Sequence, residues 1–254
     1  MNAGDRPARA TRLAKEHPMV TPSHPVTLPD ITRPDAGTIL VSRWIVSDPA
    51  HQRPAADSVV DSWEQLDRPS AMLTLTTFLS TDGEHVLNYA QWTNDEDHHT
   101  FIRTQRPALV RAIDEELPGI ERPGLTRYRL HDSYRAPTPD GAADSDTGPG
   151  VGAVVTGEFE TDGAGTQRRL ADELIAGLRA HPVPGLVAAH FHLSTDGAGV
   201  LNYAEWTTLD AWHAFTESST LRGLAEIVES LPGVRPLGST TYLPYRGVVN
   251  VPAP

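Results

Sequence analysis

LSTDGEHVLNYAQWT at residues 79–93 returns as LSTDGAGVLNYAEWT at residues 193–207, and the reading of the whole chain follows from that pair. The offset is 114 at Asn88 and Asn202, and the same spacing relates Trp92 to Trp206, His99 to His213, Phe101 to Phe215 and Tyr128 to Tyr242 without a gap. A self-similarity at fixed period marks a duplicated structural unit. Upstream, the strand-like TILVSRWIV from Thr38 falls on GAVVTGEFE from Gly152, where the residues differ but the pattern holds. The expected organisation is an N-terminal proline-rich arm (1–37), repeat 1 (38–135), a flexible linker (136–150), repeat 2 (151–248) and a short tail (249–254). The linker, APTPDGAADSDTGPG, has too little apolar surface to fold.

Within repeat 1 the periodicity changes in a fixed order. A β-rich run at 38–46 is followed by a helical stretch at 54–66 with Val59, Val60, Trp63 and Leu66 on one face. Two β-like runs, 72–79 and 85–93, are separated by Ser80-Thr81-Asp82-Gly83, a hairpin signal. Asn94 is placed to cap a short helix, a second helix begins near Pro107, and residues 125–134 close as a strand. Repeat 2 follows the same order, with Leu170, Leu174, Ile175 and Leu178 on its first helix. The fold class is therefore α+β: two tandem ferredoxin-like βαββαβ repeats, expected to pack sheet to sheet as an intramolecular dimeric α/β barrel.

Bulk composition narrows the functions. There is no cysteine among 254 residues, which removes thiolate nucleophiles, Cys-ligated zinc and iron–sulfur clusters. A net charge of -12 without a basic stripe makes nucleic acid an improbable partner. No apolar run approaches the roughly 20 residues of a membrane span, and the basic N-terminus lacks an apolar signal core, so a cytoplasmic location is expected by default. No G-x-G-x-x-G after a strand, P-loop, G-x-S-x-G or H-E-x-x-H is present.

Side chains alternate along a strand, so Asn88, Ala90 and Trp92 share one face while Leu87, Tyr89 and Gln91 share the other. Asparagine is uncommon inside strands, and a buried carboxamide without a partner costs about 1–3 kcal/mol. Asn88 and Asn202 therefore need a reason. Either the carboxamide and the indole N–H of Trp92 and Trp206 enter a cavity and bind a carbonyl or phenolate oxygen, or the asparagine caps a loop and the tryptophan fills core. His190 and His192 lie on one strand face, either as part of a polar site or as a hydrogen-bonded pair, and no spacing supplies further metal ligands. His99 and His213 read as pocket-edge bases or as helix-surface residues.

N-Y-A-x-W on the third strand of a βαββαβ unit, followed by a short helix, resembles the antibiotic biosynthesis monooxygenase family of the dimeric α/β barrel superfamily. The resemblance covers both repeats and implies a cofactor-independent monooxygenase that oxidises an aromatic, polyketide-type phenol or anthrone with O2. It implies catalytic roles for Asn88, Trp92, Asn202 and Trp206, with His192 near the transferred proton. His190, Trp212, His213, Phe215, Phe78, His99 and Phe101 would contact substrate. The second pocket is expected to be the more polar and the active one, because His190 and His192 stand where repeat 1 has Thr76 and Phe78; His98 against Trp212 is a further difference between the pockets. Ile102 and Thr216 stand where haem-degrading relatives carry a ligating histidine, so neither metal nor cofactor is implied. The partners implied are a small aromatic substrate and O2, with association of two such chains left open. The alternatives are a redox-neutral polyketide cyclase or rearrangement enzyme of the same fold, and a non-catalytic aromatic-ligand or haem-binding protein.

Overall fold

The computed structural model describes residues 28–137 and 150–250. Most of the expected arm, linker positions 138–149 and the tail from 251 lie outside the described residues. Repeat 1 consists of β1 (Thr38–Ile45), α1 (Gln52–Gln65), β2 (Met72–Ser80), β3 (His85–Trp92), α2 (Asp95–Thr104), α3 (Arg106–Glu116) and β4 (Leu125–Arg135). Repeat 2 consists of β5 (Ala153–Thr161), α4 (Ala164–Ala180), β6 (Leu186–Ser194), β7 (Gly199–Trp206), α5 (Leu209–Thr216), α6 (Ser219–Ser230) and β8 (Val234–Val249). None of these helices is long and apolar enough to cross a membrane.

Local chemistry explains the boundaries. The hairpins turn where Gly83 and Gly197 adopt φ of +82° and +81°, a left-handed region that glycine enters without steric cost. Beside each turn sits a buried glutamine. Gln52 Nε2 donates to the Ser80 carbonyl (2.9 Å) and the His85 carbonyl (2.8 Å), and Gln167 Nε2 repeats this with Ser194 (3.2 Å) and Gly199 (2.7 Å). Each glutamine thereby ties the first helix of its repeat to the hairpin. Asn94 accepts from Asp97 N at 2.9 Å and starts α2; Thr208 accepts from Ala211 N at 3.1 Å and starts α5.

The eight antiparallel strands close in the order β1-β3-β2-β8-β5-β7-β6-β4. The runs β4-β1-β3-β2 and β8-β5-β7-β6 belong to separate repeats, and β2–β8 and β4–β6 join them. Closure leaves no open sheet edge. Two prolines, Pro236 and Pro244, sit in β8 at its register shifts, where the ladder tolerates a missing N–H.

Three clusters hold the molecule. One fills the barrel with Ile39, Phe78, Leu87, Tyr89, Tyr128, Val154, Leu201, Tyr203 and Tyr242. The other two lie outside the barrel wall, beneath the helices of each repeat. Fully burying one such large side chain contributes roughly 1.5–3 kcal/mol. Ile31, preceding β1, is 3% exposed and joins the inner cluster, while the Asp30 carbonyl accepts from Gln91 Nε2 at 2.8 Å. The described end of the arm thus closes one end of the barrel.

Equivalent positions of the two repeats meet inside. Tyr89 and Tyr203 have ring centroids 5.4 Å apart, Tyr89 faces His192 and Tyr203 faces Phe78. At the other end of the barrel Arg43 forms an ion pair with Glu158.

The register corrects one alignment. Thr38 pairs with Trp92, but it is Ala153, not Gly152, that pairs with Trp206, so β1 and β5 correspond at an offset of 115. A one-residue slip exchanges the two faces of a strand. Val155, Gly157 and Phe159 therefore face outward in repeat 2, as Leu40, Ser42 and Trp44 do in repeat 1. The same offset places Leu178 opposite Trp63 in the first helices, and the matched pair Gln52 and Gln167 confirms it.

Candidate active site

Between the barrel wall and the helices each repeat holds a cavity, and the duplicated Asn and Trp line both. In repeat 1, β3 presents Asn88, Ala90 and Trp92 to a space of about 100 Å³. In repeat 2, β7 presents Asn202, Ala204 and Trp206 to a space of about 360 Å³. Drug-sized ligands occupy roughly 300–1,000 Å³, so only the second has room for one. Side-chain size accounts for the difference. Trp44 and Trp63 line the first cavity where Phe159 and Leu178 line the second, and Ser42 is matched by Gly157. Trp63 packs against Phe101 (centroids 4.8 Å apart) and Trp92 (6.1 Å), filling space that repeat 2 leaves empty.

The asparagines are not loop caps. Asn88 is 6% exposed and neither Oδ1 nor Nδ2 has a hydrogen-bond partner; Asn202 Oδ1 and Trp206 Nε1 are likewise buried and unpartnered. Buried polar groups without partners are rare in folded proteins. In repeat 2 an acceptor and an indole donor thus line a largely apolar chamber that includes Phe191, Phe215, Trp212, Leu174 and Val228. Trp206, Trp212 and Phe215 form an aromatic cluster with centroids 5.2–5.8 Å apart.

The histidines fall elsewhere. His190 and His192 are fully buried, but β6 turns them into the barrel, on the face opposite Ala189 and Phe191, which line the cavity. His192 Nδ1–H donates to the His190 carbonyl (3.2 Å), which leaves Nε2 to accept from the Tyr89 hydroxyl (3.0 Å). Burial, with His190 beside it, holds the His192 pKa down to about 3, so the ring is neutral. His190 Nδ1 lies 2.7 Å from Ser133 Oγ, and its Nε2 is 3.7 Å from Glu205 Oε2. Burial raises the hydroxyl pKa of Tyr89 and Tyr203 well above the ordinary value. Phe78, the counterpart of His192, also points inward.

Four expectations are thereby corrected. His192 is separated from Asn202 and Trp206 by the barrel wall, and His190 and Phe78 do not reach either cavity. The second cavity is the larger and more apolar of the two, since its histidines belong to the barrel interior. His99 and His213 are exposed on α2 and α5 and line neither cavity, because they sit one position past the inward-facing His98 and Trp212. Phe101, Phe215 and Trp212 do line the cavities.

Residues assigned no site role from the sequence take part instead. His98 lines the first cavity and accepts from Arg127 Nη2 at Nδ1 (2.8 Å), and burial together with Arg127 holds its pKa down to about 3. Arg106 lines the same cavity. Among the described residues Glu229 is the one ionisable side chain lining the second, at its solvent side with Ser239 and Gly238. The described residues hold a cluster of possible metal-binding groups only at Asp82, Glu84 and His85, on the surface of the first hairpin.

No family model matches the chain, and no curated protein sequence does. Solved structures do resemble it. An anthrone oxidase-like protein superposes with a TM-score of 0.64 at 16% identity, over 85% of this chain and 94% of that one. A protein of Fusobacterium nucleatum that carries the name monooxygenase gives 0.55 at 6% identity, over 85% and 95%. A Streptomyces coelicolor monooxygenase in complex with nanaomycin D is 31% identical over 41% of this chain and 91% of that one, with a TM-score of 0.33.

Proposed function

We propose that this chain, whose structural neighbours are antibiotic biosynthesis monooxygenase-like proteins of the ferredoxin fold, is a cofactor-independent monooxygenase. Its substrate is an aromatic, polyketide-type phenol or anthrone, and the reaction takes place in the cavity of repeat 2. The two repeats act as the two halves of an intramolecular dimeric α/β barrel. The observation that carries the reading is the apolar chamber of about 360 Å³ in which Asn202 Oδ1 and Trp206 Nε1 are buried without partners.

The chemistry asks little of the protein beyond binding and electrostatics. Loss of a proton makes the substrate an electron-rich enolate or phenolate that reduces O2. The peroxide formed on the ring carbon then loses water to leave the quinone carbonyl, so that CH2 and O2 become C=O and H2O. Trp206 Nε1–H donates to the oxygen that gains charge, and Asn202 Oδ1 accepts from a substrate hydroxyl and fixes the orientation of the ring. The apolar walls exclude water and strengthen both contacts. With His192 on the far side of the strand, the proton leaves toward Glu229 and solvent.

The test is oxygen consumption by purified, metal-free protein with an anthrone, against Asn202→Leu and Trp206→Phe. Rates above background that fall in both variants support the reading. Binding and turnover of a polyketide without oxygen uptake would identify a cyclase, and binding without turnover a sequestering protein; either result refutes it.

A further inference from the structure

We propose that the cavity of repeat 1 is a second ligand site, built for a small organic anion, a short monocarboxylate, that pairs with Arg106. Among the described residues no acidic side chain lines the cavity, whereas Ser42, Ser62, Asn88, His98 and Arg106 all contribute polar groups to it. Asn88, nine-tenths buried, has both its carboxamide atoms without a partner. His98 takes a hydrogen bond from Arg127 at Nδ1, so its remaining proton is on Nε2 and it can only donate there. Arg106 is half-buried at the start of α3 and makes no hydrogen bond or ion pair among the described residues.

The neighbouring acids are committed elsewhere. Asp95 is paired with Arg127 and Arg129, and Asp114 with Arg122, whose guanidinium also lies 4.2 Å from the Trp44 ring. Burial and the proximity of Arg122 push the Arg106 pKa down, the sign of a cation that lacks a counter-charge. A buried carboxamide left unpaired is costly, and the Arg106 guanidinium, which lines the cavity while keeping contact with solvent, gains short, charge-assisted bonds from a carboxylate. The second cavity has the opposite character: its one ionisable lining residue is Glu229, and the counterparts of Arg106 and His98 are Thr220 and Trp212. A space of about 100 Å³ takes a molecule of only a few heavy atoms, since liquid water occupies about 30 Å³ per molecule.

The probe is propionate, with propionamide as its uncharged match, titrated into the nitrogen-15-labelled full chain while the five tryptophan indole N–H signals are followed. The signals of Trp63 and Trp92 should shift saturably with propionate while those of Trp206 and Trp212 stay in place. Propionamide should bind about tenfold more weakly or worse, the factor expected for losing a hydrogen bond to a charged group. Arg106→Gln should abolish the preference for the acid, Arg106→Lys should keep part of it, and Trp206→Ala should leave propionate affinity unchanged. Equal affinity for acid and amide would overturn the proposal, as would unaltered binding in a folded Arg106→Gln variant. Because these signals come from repeat 1, they stand apart from whether the chamber of repeat 2 oxidises anything.

Discussion

Replacing Trp63 with leucine, the residue that Leu178 supplies at the corresponding place in repeat 2, tests whether one side chain sets the difference between the cavities. Trp63 contributes two ring contacts, to Phe101 at 4.8 Å and to Trp92 at 6.1 Å. Aromatic pairs contribute about 0.5–1.5 kcal/mol each beyond area burial, so losing both removes roughly 2 kcal/mol. Trp63 is only partly buried and leucine retains some apolar contact, so the whole cost should be about 2–3 kcal/mol, below the 3–5 kcal/mol of a full Trp→Ala truncation. Urea denaturation reads this directly, and the thermal midpoint should fall by roughly 5–10 °C. Calorimetric titration with a neutral anthrone should give one site per chain for the natural sequence and two for the variant. A folded Trp63→Leu protein that still binds one equivalent would refute the idea that Trp63 limits the first cavity. A stability change below about 0.5 kcal/mol, the size of an ordinary surface substitution, would refute the packing argument.

Three other outcomes are expected. Asn202→Leu should lower the oxidation rate by about 10²–10³, the usual effect of deleting one preorganised polar group, while His192→Phe should leave that rate within a few-fold because its ring faces the barrel interior; steady-state oxygen uptake compares them. Gln167→Leu removes the Nε2 bonds to the Ser194 and Gly199 carbonyls, of which the first keeps the Gly197 N–H, and should cost about 1–2 kcal/mol in urea melts. Stability should decline as pH falls from about 6.5 toward 3, because His98 and His192 accept a proton in the unfolded chain but stay neutral in the fold, where each pKa is about 3. Each contributes a slope of up to about 1.4 kcal/mol per pH unit in that window, absent above it, and His192→Phe should remove its share of the slope.

The order of elements was legible because each rests on local chemistry: the Asp-Gly turns, the Asn94 cap and the apolar faces of α1 and α4 carry their own signals. That Asn88, Ala90 and Trp92 share one face was legible too, since alternation within one strand needs no partner; which face it is came only from the packing of the helices. What failed depended on relations between strands. Whether His192 shares a face with Asn202 or with Leu201 is decided by the pairing of β6 with β7, where His192 lies opposite Leu201 and therefore points into the barrel. The slip of β5 was hidden for the same reason, because GAVVTGEFE alternates acceptably in either register. Trp63 was correctly placed on a buried helical face, but its effect on cavity volume appears only against Leu178, and that comparison requires the corrected offset. Arg106 and Glu229 offered no motif, only a position on helices that happen to close the two chambers.

The Arg43–Glu158 ion pair bears on the symmetry of the barrel. These two residues occupy the same place in their respective repeats, so a barrel assembled from two identical polypeptides would set arginine against arginine, or glutamate against glutamate. Opposite charges can face each other there because the two repeats differ in sequence. Tyr89 against His192 and Tyr203 against Phe78 carry the same imprint. The two halves are therefore not interchangeable: neither presents at these positions a surface suited to a second copy of itself.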